Sequence, residues 1–375
     1  MMPPAKSKSR FSGDRLRLAR AFKGLTQMEL ADAIVWSPGR ISLAESGKTV
    51  PSDLVIDAVA EVTGFEPAFF FEPITEQLHE EGCSFRRKRS ALKREKERLL
   101  ARGTLLVELV QYLRSRMSLP EYKVPDIPAR SVQEAERTAL RCRETLGIDA
   151  GAPISRVGRV LENGGVVWVG VNAAIDSIDA FSHPGDVSIV FANTYKESAS
   201  RTIFDLAHEL GHLVMHRNQE GTVSEREEQA HRFAGAFLLP EDAFRREFQR
   251  RQYVEWDAVF SMKRRWRTSV AAIIHRAYDL GLLGAVQYRR AFQHIYARGW
   301  HRGEPDEPEP EAPEVVALAF ASLEEEVSEP PQLVAKQLAW APETLIEVTG
   351  LQVPTVPRAG NTLDINDIYK RKGRT

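Results

Sequence analysis

Residues 203–216 read IFDLAHELGHLVMH, and this stretch decides how the central part of the chain is organised. Apolar residues recur in it at intervals of three and four positions, which predicts a helix buried along one face. His208 and His212 lie four positions apart, so both imidazoles project from one side of that helix at a separation suited to a single metal ion. Glu209 lies beside them, where its carboxylate can act as a general base. The motif predicts a metal site; the alternative is a hydrogen-bonded histidine pair within the core.

A catalytic metal site of this kind needs a third protein ligand, and the following residues supply candidates. A second helix is predicted from Glu225 through the apolar residues before Pro240. Successive helical residues differ by about 100° in direction, so only one of Glu227 and Glu228 can face the histidine pair. Spacing alone leaves these two glutamates open, with Glu225 a less favoured third candidate.

Three short runs rich in β-branched and aromatic residues precede the motif helix, at residues 166–169, 178–181 and 187–191. Asn, Pro, Gly and Asp separate these runs, which predicts a three-stranded antiparallel sheet. Helices are predicted before the sheet, over residues 131–162, and after the motif, over residues 255–284. The central part of the chain is therefore expected to be an α+β domain.

The N-terminal segment has the signals of short helices joined by tight turns. Ser12 can cap a first helix that ends before Gly24, residues 26–29 read as a capping box for a second, and Ser37-Pro38 can start a third. Residues 1–50 also carry nine Lys or Arg against four Asp or Glu. A short helix, a tight turn and a second short helix in a locally basic segment predict a helix-turn-helix, whose second helix enters the DNA major groove.

The residues of this segment resemble the XRE/lambda-repressor type of DNA-binding domain over about residues 12–71. The resemblance is carried by Gln27 at the start of the first helix of the pair, by Ile41-Ser42, and by Glu45-Ser46-Gly47-Lys48 before Pro51. It implies double-stranded DNA as a partner, with phosphate and base contacts from Gln27, Ser37, Arg40 and Ser42. The local excess of basic residues adds Lys48 as a contact that does not depend on DNA sequence. Gly39 departs from the longer polar residue usual there. The alternative is a helical module used for dimerisation or partner docking.

The sequence HELGHLVMH at 208–216, followed by E-x-x-A-H-x-F-A-x-x-F-L-L-P at 227–240, resembles the ImmA/IrrE family of metallopeptidases, which are related to zincins. The resemblance covers about residues 125–245. It implies one Zn²⁺ per chain, with Mn²⁺ as the alternative ion, and places the third ligand at Glu227. Glu228 is the alternative ligand. His231 lies where the family often has Asn, and it either supports a ligand, faces the substrate or simply packs; Tyr195 and His231 are weak candidates for stabilising an oxyanion.

Charge and composition limit the remaining function classes. Lys plus Arg (51) and Asp plus Glu (52) nearly cancel, so any attraction to nucleic acid must be local. Two cysteines are too few for a disulfide scaffold or a thiolate zinc site. The chain has no apolar run of membrane-spanning length and no apolar segment behind its basic start, so we expect a cytoplasmic protein with no membrane partner.

The predicted fold class is multidomain: an all-α helix-turn-helix domain plus an α+β zincin-like metallopeptidase domain that carries the HExxH helix. The helix-turn-helix domain is expected at 1–75 and the metallopeptidase domain, with a helical C-terminal extension, at 125–302. A basic helical connector at 76–124 joins them. Residues 303–375 are expected to be a linker and tail, because 303–331 hold ten acidic residues, six prolines and no Lys or Arg.

Two functions of different class fit this organisation. The first is a DNA-binding regulatory zinc endopeptidase, and the resemblance implies that its substrate is a repressor or antitoxin-type DNA-binding protein. The second is a transcriptional regulator whose zincin-like domain senses a metal or ligand without proteolysis. The intact Glu209 favours the first, because metal binding alone needs no general base, whereas fusion to a DNA-binding domain favours the second. Either protein is expected to bind DNA as a homodimer on a two-fold-related site.

Overall fold

The chain forms two compact units in the computed structural model, which describes residues 10–80, 83–87, 93–171, 178–194, 198–218 and 220–351. The first unit combines three separate stretches of sequence, Met1–His79, Leu92–Ser118 and Val315–Thr375. The second combines two, Glu80–Ala91 and Leu119–Glu314. Each unit is therefore completed by residues that are distant in sequence.

The N-terminal part of the first unit consists of short helices: α1 (Gly13–Phe22), α2 (Gln27–Ala33), α3 (Pro38–Glu45), α4 (Asp53–Thr63) and a 3₁₀ helix (Pro67–Phe71). The predicted caps are present. The hydroxyls of Ser12 and Ser37 accept hydrogen bonds from the backbone N–H groups of Arg15 and Arg40, and residues 26–29 form the capping box. Since side chains satisfy the donors that a helix start leaves unpaired, these short helices begin where the sequence predicts.

Helices from the middle and the end of the chain complete the first unit: α5 (Lys93–Arg116), α14 (Val315–Val327), α15 (Pro331–Gln337) and α16 (Pro342–Thr349). The basic helical connector predicted over 76–124 contains α5, most of whose apolar residues are buried. Trp340, 1% exposed, lies in a backbone bridge with Phe65, and the Thr344 hydroxyl donates to the carbonyl of Gly64 (2.5 Å). The C-terminal helices thus pack directly on the predicted helix-turn-helix domain.

The second unit contains a four-stranded sheet: β1 (Ser84–Arg87), β2 (Val167–Val171), β3 (Ile178–His183) and β4 (Ile189–Asn193). The strand order is β1-β3-β4-β2, with β2 parallel to β4 and the other pairs antiparallel. The predicted three-stranded antiparallel sheet is therefore wrong in its pairing. Strand direction alternates along the chain from β2 to β4 as expected, but β4 lies between β2 and β3. Hydrophobic alternation specifies which residues form strands and not which strand is central.

The second unit also contains a series of helices. They are α6 (Val132–Thr145), α7 (Val157–Asn163), α8 (Ala199–Met215), α9 (Val223–Leu238), α10 (Glu241–Glu247), α11 (Trp256–Trp266), α12 (Val270–Asp279) and α13 (Ala285–Ala297). The motif helix α8 packs on β3, β4 and α9. At Gly211 of α8, an added Cβ would lie only 3.0 Å from the ring of Phe233 in α9, so this glycine allows the two helices to approach closely. The close approach brings the two predicted ligand-bearing helices together.

Residues 304–314, termed the acidic strap, lie against the second unit instead of forming an open linker. Glu304 accepts hydrogen bonds from the backbone N–H of Val270 (2.8 Å), at the start of α12, and from the ammonium of Lys263 (2.7 Å). Glu311 accepts from the backbone N–H groups of Val157 (3.0 Å) and Gly158 (2.6 Å), at the start of α7. Carboxylates are stabilised at helix N-termini by unpaired N–H groups and by the helix dipole.

The strap also contacts the motif helix. Glu307 accepts from the backbone N–H and hydroxyl of Ser200 (both 2.9 Å), in the first turn of α8, and from Lys263 (2.6 Å). The hydrogen-bond partners of the strap come from segments that are distant in sequence, and so does α5, on which α14 packs. Composition considered one segment at a time therefore predicts a linker where the structure has ordered contacts. The exact domain boundaries remain predictions.

Within the described part of the chain, no helix combines the length and the apolar character needed to cross a bilayer.

Candidate metal centre and nucleic-acid interface

His208 and His212 of α8 and Glu227 of α9 converge on one point. The two histidine Nε2 atoms lie 3.1 Å apart, and the Glu227 carboxylate oxygens lie 3.4 Å from Nε2 of His208 and 3.3 Å from Nε2 of His212. Ligand atoms from the three residues all lie within 4.8 Å of one another. The histidines are 2% and 3% exposed, whereas the Glu227 side chain is 33% exposed. The cluster therefore reaches the surface on its carboxylate side.

The donor set of this cluster fits a divalent ion. Two imidazoles and one carboxylate are the ligands that borderline cations such as Zn²⁺ prefer, and three protein ligands leave a position open. Burial raises the pKa of Glu227, but hydrogen bonds from both histidines outweigh burial and hold it well below its usual range. Glu227 therefore carries negative charge. The neighbouring Glu228 is exposed and lies outside the cluster, as the 100° step between helical residues requires.

Glu209 is fully buried beside the cluster and is held by a strand of the sheet. The hydroxyl of Ser182 in β3 donates a hydrogen bond to Glu209 Oε2 (2.6 Å). A hydrogen bond of this length fixes the carboxyl group in place. Sequence reasoning missed Ser182, which lies 27 positions from Glu209. The strand reads IDAFSH, and nothing in this stretch distinguishes the serine from the other polar residues.

A second layer of side chains orients His212. Its Nδ1 lies 2.9 Å from Nδ1 of His216, and Nε2 of His216 lies 2.8 Å from the side-chain oxygen of Gln229. Burial, with a smaller contribution from His212, lowers the pKa of His216 to about 4, so His216 is neutral near pH 7. Contacts to the outer nitrogen of a ligating histidine fix its ring orientation. His216, four residues after His212, was missed although it stands within the motif.

Two further candidates of this region, His231 and Glu225, do not belong to the cluster of His208, His212 and Glu227. His231, half-buried one helical turn after Glu227, lies between the rings of Phe204 and His275, with centroids 5.0 and 4.6 Å away. Glu225 caps α9 by accepting from the backbone N–H of Thr222 (2.8 Å), so it serves the helix end. Tyr195 lies outside the described residues.

The candidate DNA-contacting residues lie on and around α3. Ser37, Arg40, Ser42 and Lys48 are exposed, and Ser37 also caps the helix. Gln27 is half-buried; its amide donates to Glu45 Oε2 (2.7 Å).

The same carboxylate of Glu45 binds the Arg20 guanidinium in α1, which fixes α3 against the rest of the unit. An added Cβ at Gly39 would meet nothing within 4 Å, so the short residue leaves open space on the outer face of α3. The helix is thus firmly seated and presents Arg40 to solvent.

Comparison with known families agrees with this geometry. A model of the IrrE N-terminal-like domain, from the Peptidase M78 family, matches residues 172–278, which include α8 and α9. A helix-turn-helix domain model matches residues 13–68. A search of curated proteins found no significant match. The chain therefore joins a helix-turn-helix domain to an ImmA/IrrE-type domain, and the predicted fold class is confirmed.

Proposed function

We propose that this chain, in which a helix-turn-helix domain is fused to a metallopeptidase-family domain, is a DNA-binding regulatory zinc endopeptidase. The observation that carries the proposal is the convergence of His208, His212 and Glu227 next to the buried carboxylate of Glu209. The matched family supports a metallopeptidase relationship and a divalent metal. A site that only binds metal has no need of a general base held in place by a strand.

His208, His212 and Glu227 would hold Zn²⁺, which when bound acts as a Lewis acid and lowers the pKa of water. Glu209 takes the proton from the water that attacks the peptide carbonyl and then delivers it to the leaving amine. Ser182 keeps the carboxylate aimed during both transfers through its 2.6 Å hydrogen bond. His216 and Gln229 hold the ring of His212 in one orientation.

Metal analysis tests the ligand set independently of catalysis. We expect about one Zn²⁺ or, alternatively, Mn²⁺ per chain, lost in the His208→Ala/His212→Ala variant and retained in Glu209→Gln. Glu227→Gln should weaken binding, whereas Glu228→Gln is the matched control and should not. Equal retention in the double histidine variant would contradict the assignment.

The substrate class follows from the resemblance and is a repressor or antitoxin-type DNA-binding protein. The test is incubation with such a protein encoded next to this gene, with Glu209→Gln as the control. Loss of the general base should lower the cleavage rate by orders of magnitude with metal content unchanged. If the metal-loaded wild type leaves these proteins intact while Glu209→Gln still alters promoter output, the domain is a sensor and the protease proposal fails.

DNA binding is tested by titrating promoter DNA at several salt concentrations. Binding should weaken steeply with salt, and a homodimer should occupy a two-fold-related site. Arg40→Ala should relax sequence preference, because the side chain is exposed on α3, while Lys48→Ala should weaken binding to all sequences alike. Unchanged discrimination between specific and scrambled DNA in Arg40→Ala would argue against base readout by this residue.

A further inference from the structure

Strand β3 forms one wall of the candidate catalytic site and carries a neighbour on each side. Its residue Ser182 donates to the general base Glu209. On one side β3 pairs with β4, and on the other it pairs antiparallel with β1, where Ser84 lies opposite Ser182. The backbone of β1 therefore covers the side of β3 that β4 leaves open.

Strand β1 comes from a different part of the chain from the rest of the sheet. Its four residues, Ser84–Arg87, precede α5, and the matched family domain begins only at residue 172. Without β1, β3 would be the edge of the sheet. Strand β1 has four residues, whereas average strands have about five or six. Its register with β3 also shifts between Arg86 and Arg87.

A sheet edge is a general docking surface for extended peptides, because its unpaired N–H and C=O groups bind a peptide backbone of any sequence. A peptide added antiparallel to β3 would pass Ser182 and therefore Glu209. We propose that β1 is an internal occupant of this edge, and that an extended peptide substrate of the proposed peptidase must displace it in order to dock there. The inference rests on the proposed endopeptidase function and adds self-inhibition by β1.

The first test weakens the pairing of β1 with β3, so that the edge of β3 becomes accessible. Along a strand, neighbouring residues direct their N–H groups to opposite sides, so Phe85→Pro/Arg86→Pro removes one donor toward β3 whichever residue supplies it. Phe85→Ala/Arg86→Ala is the matched control, since it keeps both donors. The probe is a fluorescent peptide with the sequence of residues 80–91 and serine in place of Cys83.

The proline variant should bind this peptide at least tenfold more tightly than the wild type, with or without added Zn²⁺, and the alanine control should bind it much like the wild type. Bound peptide should slow hydrogen exchange at residues 178–183. No gain in affinity, or protection elsewhere only, would overturn the proposal.

The second test links β1 covalently to β3, so that β1 cannot leave the edge. It applies even if the proline variant fails to fold. Arg86 and Ala180 are directly opposed, and opposed residues of antiparallel strands lie at Cα distances that a disulfide spans. In a Cys83→Ser background, oxidised Arg86→Cys/Ala180→Cys should lose binding of the peptide by at least tenfold, and a phosphine reductant should restore it. Each single cysteine variant should be insensitive to the reductant.

Peptide binding that is equal in the oxidised and reduced forms would refute displacement of β1. Where the wild type cleaves a repressor, oxidation should also stop cleavage with metal content unchanged. Binding of the peptide to β3 is measured without any cleavage. If neither the oxidised nor the reduced protein cleaves a repressor, the proposed peptidase activity is refuted, but the result of the β1 displacement test is unaffected.

Discussion

Replacing Lys263 with methionine should destabilise the second unit, because it removes a fully buried cation that pairs with two carboxylates of the acidic strap. The Lys263 side chain is 0% exposed, and its ammonium lies 2.7 Å from Glu304 and 2.6 Å from Glu307. Methionine keeps much of the side-chain volume but no charge. The variant leaves two carboxylates, 8% and 23% exposed, facing each other without their shared partner.

Removing one partner from a buried ion pair costs about 3–5 kcal/mol, because the remaining charge stays desolvated. The cost here should fall toward the lower end of that range, since Glu307 keeps Ser200 and Glu304 keeps the N–H of Val270. We therefore expect the free energy of unfolding to fall by about 3 kcal/mol near pH 7.

Arg264→Met is the matched control. It removes a neighbouring cation that pairs with Asp306 of the same strap at 2.6 Å, but its side chain is 56% exposed. Exposed pairs contribute less than about 1 kcal/mol. Urea unfolding followed by tryptophan fluorescence reports through buried Trp266 in the same helix, and hydrogen exchange in the first turns of α8 and α12 localises the effect.

The effect should depend on pH in a defined direction. Burial raises the pKa of Glu307, but Lys263 and Ser200 more than offset this, so its pKa in the folded chain is lowered. A lowered carboxyl pKa contributes stability above the unfolded-state value of about 4.3, and this stability is lost as pH falls through the folded-state pKa. The difference between wild type and Lys263→Met should therefore narrow in acid. A loss below 1 kcal/mol at pH 7, or one equal to that of Arg264→Met, would refute the reasoning.

Other perturbations give equally definite expectations. Ser182→Ala should lower kcat of proteolysis roughly 10–100-fold without loss of metal, as expected for a hydrogen bond to a charged group worth ~1.5–3 kcal/mol; Ser188→Ala, in the same sheet region but bonded to the carbonyl of Gly185, is the control and should be close to wild type. A chain ending at Arg302 should show a lower Tm for both units, because it lacks the acidic strap and the helices from Val315 onward; unaltered melting of either unit would contradict these contacts. Trp340→Ala should cost the first unit about 3–5 kcal/mol in urea unfolding, the usual cost of truncating a fully buried tryptophan, and a cost below 1 kcal/mol would show that the C-terminal helices are not part of that core.

The truncation also changes how one simple experiment would be interpreted. Because the sequence predicts a linker and tail there, their removal would be expected to leave the metallopeptidase domain intact. In the structure, Glu307 binds the first turn of α8 and Glu311 binds the start of α7. Lost activity in the shortened chain would then report a damaged motif helix.

Local chemistry was enough to predict much of the molecule. The capping box at 26–29 and the Ser37 cap specify helix starts because each depends on side chains three residues from the donors that they satisfy. The i, i+4 spacing placed His208 and His212 on one face of α8 for the same local reason, since 3.6 residues per turn is a property of the backbone. The two family matches agree with the domains inferred from these motifs.

Contacts between distant segments decided the rest. The carboxylate of Glu227 meets the histidines, and Ser182 meets Glu209, only because α9 and β3 pack against α8. The central position of β4, the pairing of β1 with β3 and the seating of the strap also join residues that are far apart in sequence.

Sequence periodicity carries the direction of each side chain relative to its own helix or strand. It carries no information about which other element covers that face, because this depends on how all the apolar surfaces are buried together. The sequence by itself therefore determined the helix starts, the histidine pair and the two domain types. Only the tertiary structure decided the partner of the general base, the order of the strands and the role of the acidic strap.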